Sequence, residues 1–359
     1  MESSKRAILE KYERVAGERL PRVREFFEGR RRFLVWTQTP SEVWSDCRTP
    51  EQSFERNMAS IDHALDVEMD YVPYLEPWHG VGVYACSFGC EYEWWEGEAP
   101  YTRCAFQHIS EALEFEPLTP EENEVMRLVM DTIRHFKRQV GSTIPIVLTD
   151  TQSAYDTATL VVDPSNFMVE CMTAPEAGHR LLCRINDAII EFSRMQADAV
   201  GDALAEPGHI MVSAPGVGGI SVSDDNQSFS SADFNRTFSN PYNDALGAEF
   251  GGVAIHSCGD WAHAMPALLE MEHFTMLDCA CDSPGDPNPN DPAAVADALR
   301  GSGKIAQMRC AGCREAIDRI VDCVGTGLRV VLKFGWPGSD ATAEELYHYA
   351  TDRLTEACA

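Results

Sequence analysis

Short apolar runs recur along the chain, each followed by polar or Gly/Pro residues and then by a stretch with helical spacing. Eight runs read as strands: "RRFLVWTQ" (31–38), "YVPYLEP" (71–77), "IPIVLTDT" (144–151), "GISVSDDN" (219–226), "GVAIHSC" (252–258), "FTMLDCAC" (274–281), "KIAQMRC" (304–310) and "RVVLKFGW" (329–336). They are nearly continuous in apolar residues rather than alternating, which is the signature of strands buried on both faces of a parallel sheet. Helical stretches separate most of them, as at 163–200 and 291–301. Eight such units over 359 residues predict a single α/β domain, a (β/α)8 barrel spanning 1–359. An open doubly wound sheet is the alternative, but no glycine-rich phosphate loop follows the first strand.

Residues 1–30 read as an N-terminal helical extension. Residues 78–143 form a long insertion after the second strand that begins "WHGVGVYACSFGCEYEWWEGEAPY" and is placed at the barrel mouth. Residues 201–218 read as a loop or a short extra hairpin. The aromatic residues Trp78, Tyr84, Phe88, Tyr92, Trp94, Trp95 and Tyr101 of the insertion fit either ordinary packing or a cage for a methylated cation.

In such barrels the chemistry sits at the carboxyl ends of the strands. Here those ends carry Glu76, Asp150, Asp224, Asp225, His256, Cys258, Cys279, Cys281, Cys310 and Trp336. His256 and Cys258 are two residues apart, so a regular strand points both to one face, and both residue types bind zinc. Asp224, Asp225 and Glu76 are the candidate catalytic carboxylates. Asp150, Gln152, Tyr155, Trp78 and Trp336 are candidate substrate contacts. Asp224-Asp225-Asn226 has a plainer reading as a helix cap, and so has Asp156. Cys313 starts a helix, where a thiol usually packs as a small apolar group.

Lys and Arg number 29 against 57 Asp and Glu, for a net charge of −28. That argues against a nucleic-acid backbone or an anionic membrane as partner. The thirteen cysteines are scattered and odd in number, unlike a small disulfide scaffold. The first residues show no signal-peptide core. No apolar run approaches the roughly 20 residues that span a bilayer. A reducing cytoplasm is the expected location.

The phrases "PIVLTDTQSAYDTATLVVDPSNFMVECMTAPEAGHRLL", "ISVSDDNQSFSSADFNRTFSNPYNDAL" and "GGVAIHSCGDWAHAMPALLEM" resemble the uroporphyrinogen decarboxylase superfamily over roughly residues 140–355. The His256-x-Cys258 phrase is closest to its zinc-containing, cobamide-dependent methyltransferase branch. That resemblance implies a barrel that moves a methyl group between a corrinoid protein and a small-molecule donor or a thiol or other acceptor. It also implies Zn2+ on His256 and Cys258, methylcobamide carried by a partner protein, and a homodimer as one possible assembly. The branch takes its third ligand from a Gly-Cys-Gly phrase after the last strand. Here that place reads "KFGWPGSD", with Trp336 where the thiolate belongs. Cys310, Cys279 and Cys281 are the substitutes offered by neighbouring strand ends. Asp224 or Asp225 is expected to hydrogen-bond His256 or to take a thiol proton. The arginine-rich N-terminal phrase of the decarboxylases is missing. A metal-free lyase acting on a carboxylated substrate, or a non-catalytic ligand-binding barrel, are the other readings.

Overall fold

The computed structural model describes residues 2–283 and 285–359. Six of the expected strands form one parallel sheet in the order Phe33–Thr37, Arg329–Phe334, Ile305–Cys310, Phe274–Ala280, Val253–His256 and Ile220–Ser223. The other two, around Leu75 and Ile146, join through isolated parallel bridges, Leu75 to Ile146 and Gln152 to Ser223. On the far side Asp70 N–H donates to the Val35 carbonyl at 2.9 Å. The chain is therefore an α/β fold with a parallel sheet, arranged as a (β/α)8 barrel would be. Pro73 and Pro145 have no N–H to give to a ladder, which is why these two segments bridge at single residues.

The stretch 163–200 is two helices, Pro164–Thr173 and Pro175–Val200, rather than one. Ala174 precedes a proline, whose ring disfavours helical backbone there, and it takes φ −142° and ψ 63°. The helix Pro292–Leu299 starts where expected, with the Asp291 side chain accepting from Ala293 N. The N-terminal helix Glu2–Phe27 covers the amino-terminal side of the sheet. There the buried Arg19 donates to the carbonyls of Ala64, Val67 and Tyr71.

The 78–143 region holds three helices joined by irregular stretches. Its long helix, Glu124–Val140, packs against helix Pro50–Asp66. A small antiparallel hairpin pairs Glu91–Glu93 with Tyr101–Arg103. Trp78, Tyr84 and Phe88 are core residues, whereas Trp95 and Tyr101 stack on each other in solvent. These aromatics are divided between core and surface and form no single cage.

Residues 201–218 do contain an extra hairpin, Ala205–Glu206 against Ala214–Pro215. Its connecting loop crosses the inside of the sheet. Tyr74 Oη donates to the Met211 carbonyl at 3.2 Å on one side. On the other, Gln307 donates to the Ile210 carbonyl at 2.8 Å and accepts from Val212 N at 2.9 Å. Ile210 has φ +59°, a conformation a β-branched residue adopts only when its surroundings impose it. The paired bonds to the Gln307 amide supply that constraint. No described helix is long and apolar enough to cross a membrane.

Candidate functional site

Parallel register sets the site. Ser223, His256, Asp278 and Gln307 lie opposite one another on successive strands. Two residues nearer the strand ends, Ala280, Arg309, Lys333 and Trp36 form a second row on the same face.

His256 is buried, and its Nδ1 lies 2.8 Å from Asp278 Oδ2. Asp278 also accepts from Arg309 Nε at 2.9 Å and from Gln307 Nε2 at 2.6 Å. Burial alone would push its carboxyl up. The Arg309 charge and the His256 hydrogen bond overcome this and hold it well below the usual carboxylate range. An ionised Asp278 accepts from Nδ1–H, which leaves the His256 Nε2 lone pair free.

That free nitrogen is 3.5 Å from Cys258 Sγ and 3.8 Å from Asp225 Oδ1. The three donor atoms all lie within 4.8 Å of one another. Cys258 N–H donates to Asp225 Oδ1 at 2.7 Å, which ties the two loops together. Asp225 is itself positioned by Asp156, whose carboxylate accepts the backbone N–H groups of Asp225 at 2.6 Å and Asn226 at 3.0 Å. Gly259 turns the chain after Cys258 at φ +75°, and a Cβ there would stand 3.2 Å from Ser228. The Cys258 thiol is pushed up to about 12 by burial of the sulfur and then by Asp225. Cys258 as a residue is exposed, so the neighbouring carboxylate is the firmer of the two causes. Nitrogen, sulfur and oxygen donors at this spacing could hold a metal ion, and their chemistry fits zinc.

Several expectations are corrected by these positions. Asp224 does not reach the His256 side chain. Its carboxylate is buried and accepts from Ser239, from Gln227 at 2.8 Å and from Asn243 at 2.7 Å, so it braces the loop from behind. Cys279 and Cys281 point to the face of their strand opposite Asp278, with their sulfurs 3.8 Å apart, and lie outside the His256 cluster. Cys310 is outside it too. It lines a separate cavity beside Trp336, and burial pushes its thiol up to about 12. Tyr155 donates to or accepts from Ser230 Oγ at 2.6 Å and packs among Phe167 and Phe234, so it is core. Trp78 is core as well. Gln152 is buried at the bridge to Ser223 and touches neither the cluster nor the cavity.

Glu76 and Asp150 belong to a second cluster. His209, carried by the crossing loop, places Nδ1 against Glu76 Oε1 and Nε2 3.6 Å from Asp150 Oδ1. Trp44 Nε1 donates to Glu76 Oε2 at 2.8 Å, and Ser223 Oγ to Asp150 Oδ1 at 2.9 Å. Against the burial that would lower it, Asp150 and Glu76 push the His209 imidazole up to about 9. Beside this cluster opens a cavity of about 570 Å³, whose wall includes Trp36, Trp44, Glu76, Arg309, Lys333 and Trp336. His256 and Cys258 are not on that wall; Arg309, through Asp278, connects the two places.

Sequence reasoning missed Asp278, Arg309, His209 and Lys333. Asp278 had a usable signal: it sits in "FTMLDCAC" between the apolar residues and the cysteines, at the one position of that run that period-2 alternation can align with His256. His209 had none, because its loop reads as a surface turn.

Comparison with solved structures finds the same fold in a methyltransferase from Methanosarcina mazei. The two are 14% identical, with 86% of each chain covered and a TM-score of 0.58. Comparison with curated proteins finds no match. The family model described as uroporphyrinogen decarboxylase (URO-D) matches residues 79–283, more than half of the chain and including the crossing loop, Asp225, His256, Cys258 and Asp278. The chain belongs to the uroporphyrinogen decarboxylase family.

Proposed function

We propose that the protein is a methyltransferase of a corrinoid-dependent system, moving a methyl group between a corrinoid protein and a small molecule, with zinc held by Asp225, His256 and Cys258. The observation that carries this reading is the meeting of those three donor atoms around a histidine whose other nitrogen is already fixed by Asp278. Zinc bound there supplies Lewis acidity, which makes a thiol a thiolate at neutral pH.

The residues of the chain do the rest. Asp278 fixes the tautomer and direction of His256, and Arg309 and Gln307 keep Asp278 ionised and in place. Asp225 is partly exposed beside Cys258 and is tied to it by the Cys258 N–H, which keeps the two donors together on one side of His256. The partner corrinoid protein approaches a strongly acidic surface, so the association is expected to weaken with salt if its docking face is basic.

The test is metal content after purification without chelator. About one zinc per chain, lost in His256→Ala and in Cys258→Ser, is expected. Metal-free wild-type protein sinks the reading. It would favour the metal-free lyase, for which one observation speaks: Trp336, not a thiolate, lines the cavity after the last strand.

A further inference from the structure

Lys333 is an unusual residue to find inside a barrel. It is 3% exposed, near the carboxyl end of strand Arg329–Phe334, and its side chain lines the 570 Å³ cavity. Its ammonium lies 4.1 Å from the centroid of the Trp36 ring. Among the described residues it makes no hydrogen bond to any acceptor and no ion pair. A buried ammonium carries three donors and loses its hydration on burial, so such a group ordinarily has an anion against it.

The neighbouring carboxylates are already engaged. Asp278 accepts from His256, Gln307 and Arg309, and Glu76 from Trp44 and His209. Arg309 faces Lys333 directly across the strand pair and lines the same cavity. It spends Nε on Asp278, while its Nη2 is buried without a partner. Two cationic side chains in register thus line one cavity, with the Lys333 ammonium facing it and the Arg309 guanidinium directly behind. The rest of the wall carries aromatic rings, Trp36, stacked on Tyr71 at 4.1 Å, with Trp44 and Trp336, among polar residues such as Gln38, Asn57 and Glu76. The volume falls in the range of small-ligand sites.

We propose that this cavity binds a small carboxylate, with its anionic end at Lys333 Nζ, beside the Arg309 guanidinium, and its apolar or aromatic body against Trp36, Trp44 and Trp336. That this carboxylate is the small-molecule partner in methyl transfer rests on the proposed function; the site itself does not. Lys333 is then a specificity-determining residue that rejects neutral analogues, because an uncharged ligand displaces water from the ammonium without supplying an anion to it.

Titration calorimetry near neutral pH tests this with three acid–amide pairs: propionate and propionamide, phenylacetate and phenylacetamide, hydrocinnamate and its amide. At least one carboxylate is expected to bind, with its amide weaker by about tenfold or more. Lys333→Met should remove that preference by a similar factor, while zinc content stays at the wild-type value. Methionine fills the same space without a charge, so the variant is expected to melt no lower than wild type. As an independent readout on the wild-type protein, crystals soaked in para-bromophenylacetate should show the bromine among the tryptophans and the carboxylate at Lys333. Binding of no acid in the panel, equal binding of acid and amide, or the bromine outside the cavity overturns the site. Absence of zinc with carboxylate binding intact would overturn the metal reading alone.

Discussion

Two buried histidines, His256 at the end of a strand and His209 on the crossing loop, each meet carboxylates, yet they are built for opposite ends. His256 has one nitrogen committed to Asp278 and the other facing Cys258 and Asp225 across 3.5 and 3.8 Å. His209 has a carboxylate toward each nitrogen, Glu76 and Asp150, and nothing left to give. An imidazole with one lone pair free is a ligand; an imidazole flanked by two anions is a cation. The difference comes from what holds the carboxylate. Asp278 is neutralised by Arg309 and needs no charge from His256, whereas Glu76 and Asp150 draw a proton onto His209. So the structure separates a site that is poised to accept an ion from one whose ion is supplied by its own histidine.

The sharpest way to break this contrast is to remove Asp278. Asp278→Ala leaves Arg309 buried and unpaired, and the loss of stability is expected to be roughly 3–5 kcal/mol, measured by denaturant unfolding. Asp278→Asn keeps the shape but no longer anchors the imidazole tautomer. It should cost about 10–100-fold in zinc affinity, read by competition with a chelating dye. If zinc affinity is unchanged in Asp278→Asn, His256 is not oriented as described.

The second experiment acts on the other histidine. His209 titrates at about 9 in the fold and at about 6.5 unfolded. A group with a raised folded pKa stabilises fully below its unfolded value and loses that contribution as pH rises through the folded one. The gain, on the order of 3 kcal/mol, is therefore present at pH 6 and gone by about pH 10. Lys333, lowered to about 8 chiefly by burial, works with the opposite sign over an overlapping range. The informative quantity is therefore the difference between wild type and His209→Gln, which should shrink with rising pH while zinc content is unaffected. A difference that is flat from pH 6 to about 10 would contradict a cationic His209.

The smallest effects separate the acidic doublet. Asp225→Asn is expected to weaken zinc binding by about tenfold or more, and Asp224→Asn to leave zinc affinity near wild type while lowering stability by about 1–3 kcal/mol through its lost donors. Equal loss of zinc in both variants would place Asp224 in the site after all.

Much of this architecture was legible in order along the chain. Six of the eight expected strands form where buried apolar runs predict them, and the other two segments join by single bridges, since a strand covered on both faces must be apolar throughout. The start of the helix at Asp291 is also local, whereas the break before Pro175 inside 163–200 went unread although its cause lies within two residues. His256 and Cys258 could be paired on sight from their spacing, although the strand ends at His256 and Cys258 is placed by the loop that follows.

What the chain order did not reveal is whichever contact depends on register between strands. His256 and Asp278 are 22 residues apart, and Arg309 and Asp278 are 31. The loop that carries His209 to Glu76 bridges 133 residues and crosses the barrel only because Gln307 receives it. Sequence by itself determined the strands, their direction and the His-x-Cys phrase, all of which follow from patterns repeating every two to four residues. Tertiary structure alone decided which carboxylate serves which histidine, which cysteines turn away, and that Lys333 ends in a cavity without an anion. Those outcomes depend on sheet registers fixed by the packing of the whole barrel, and a one-residue slip in any strand would reverse them.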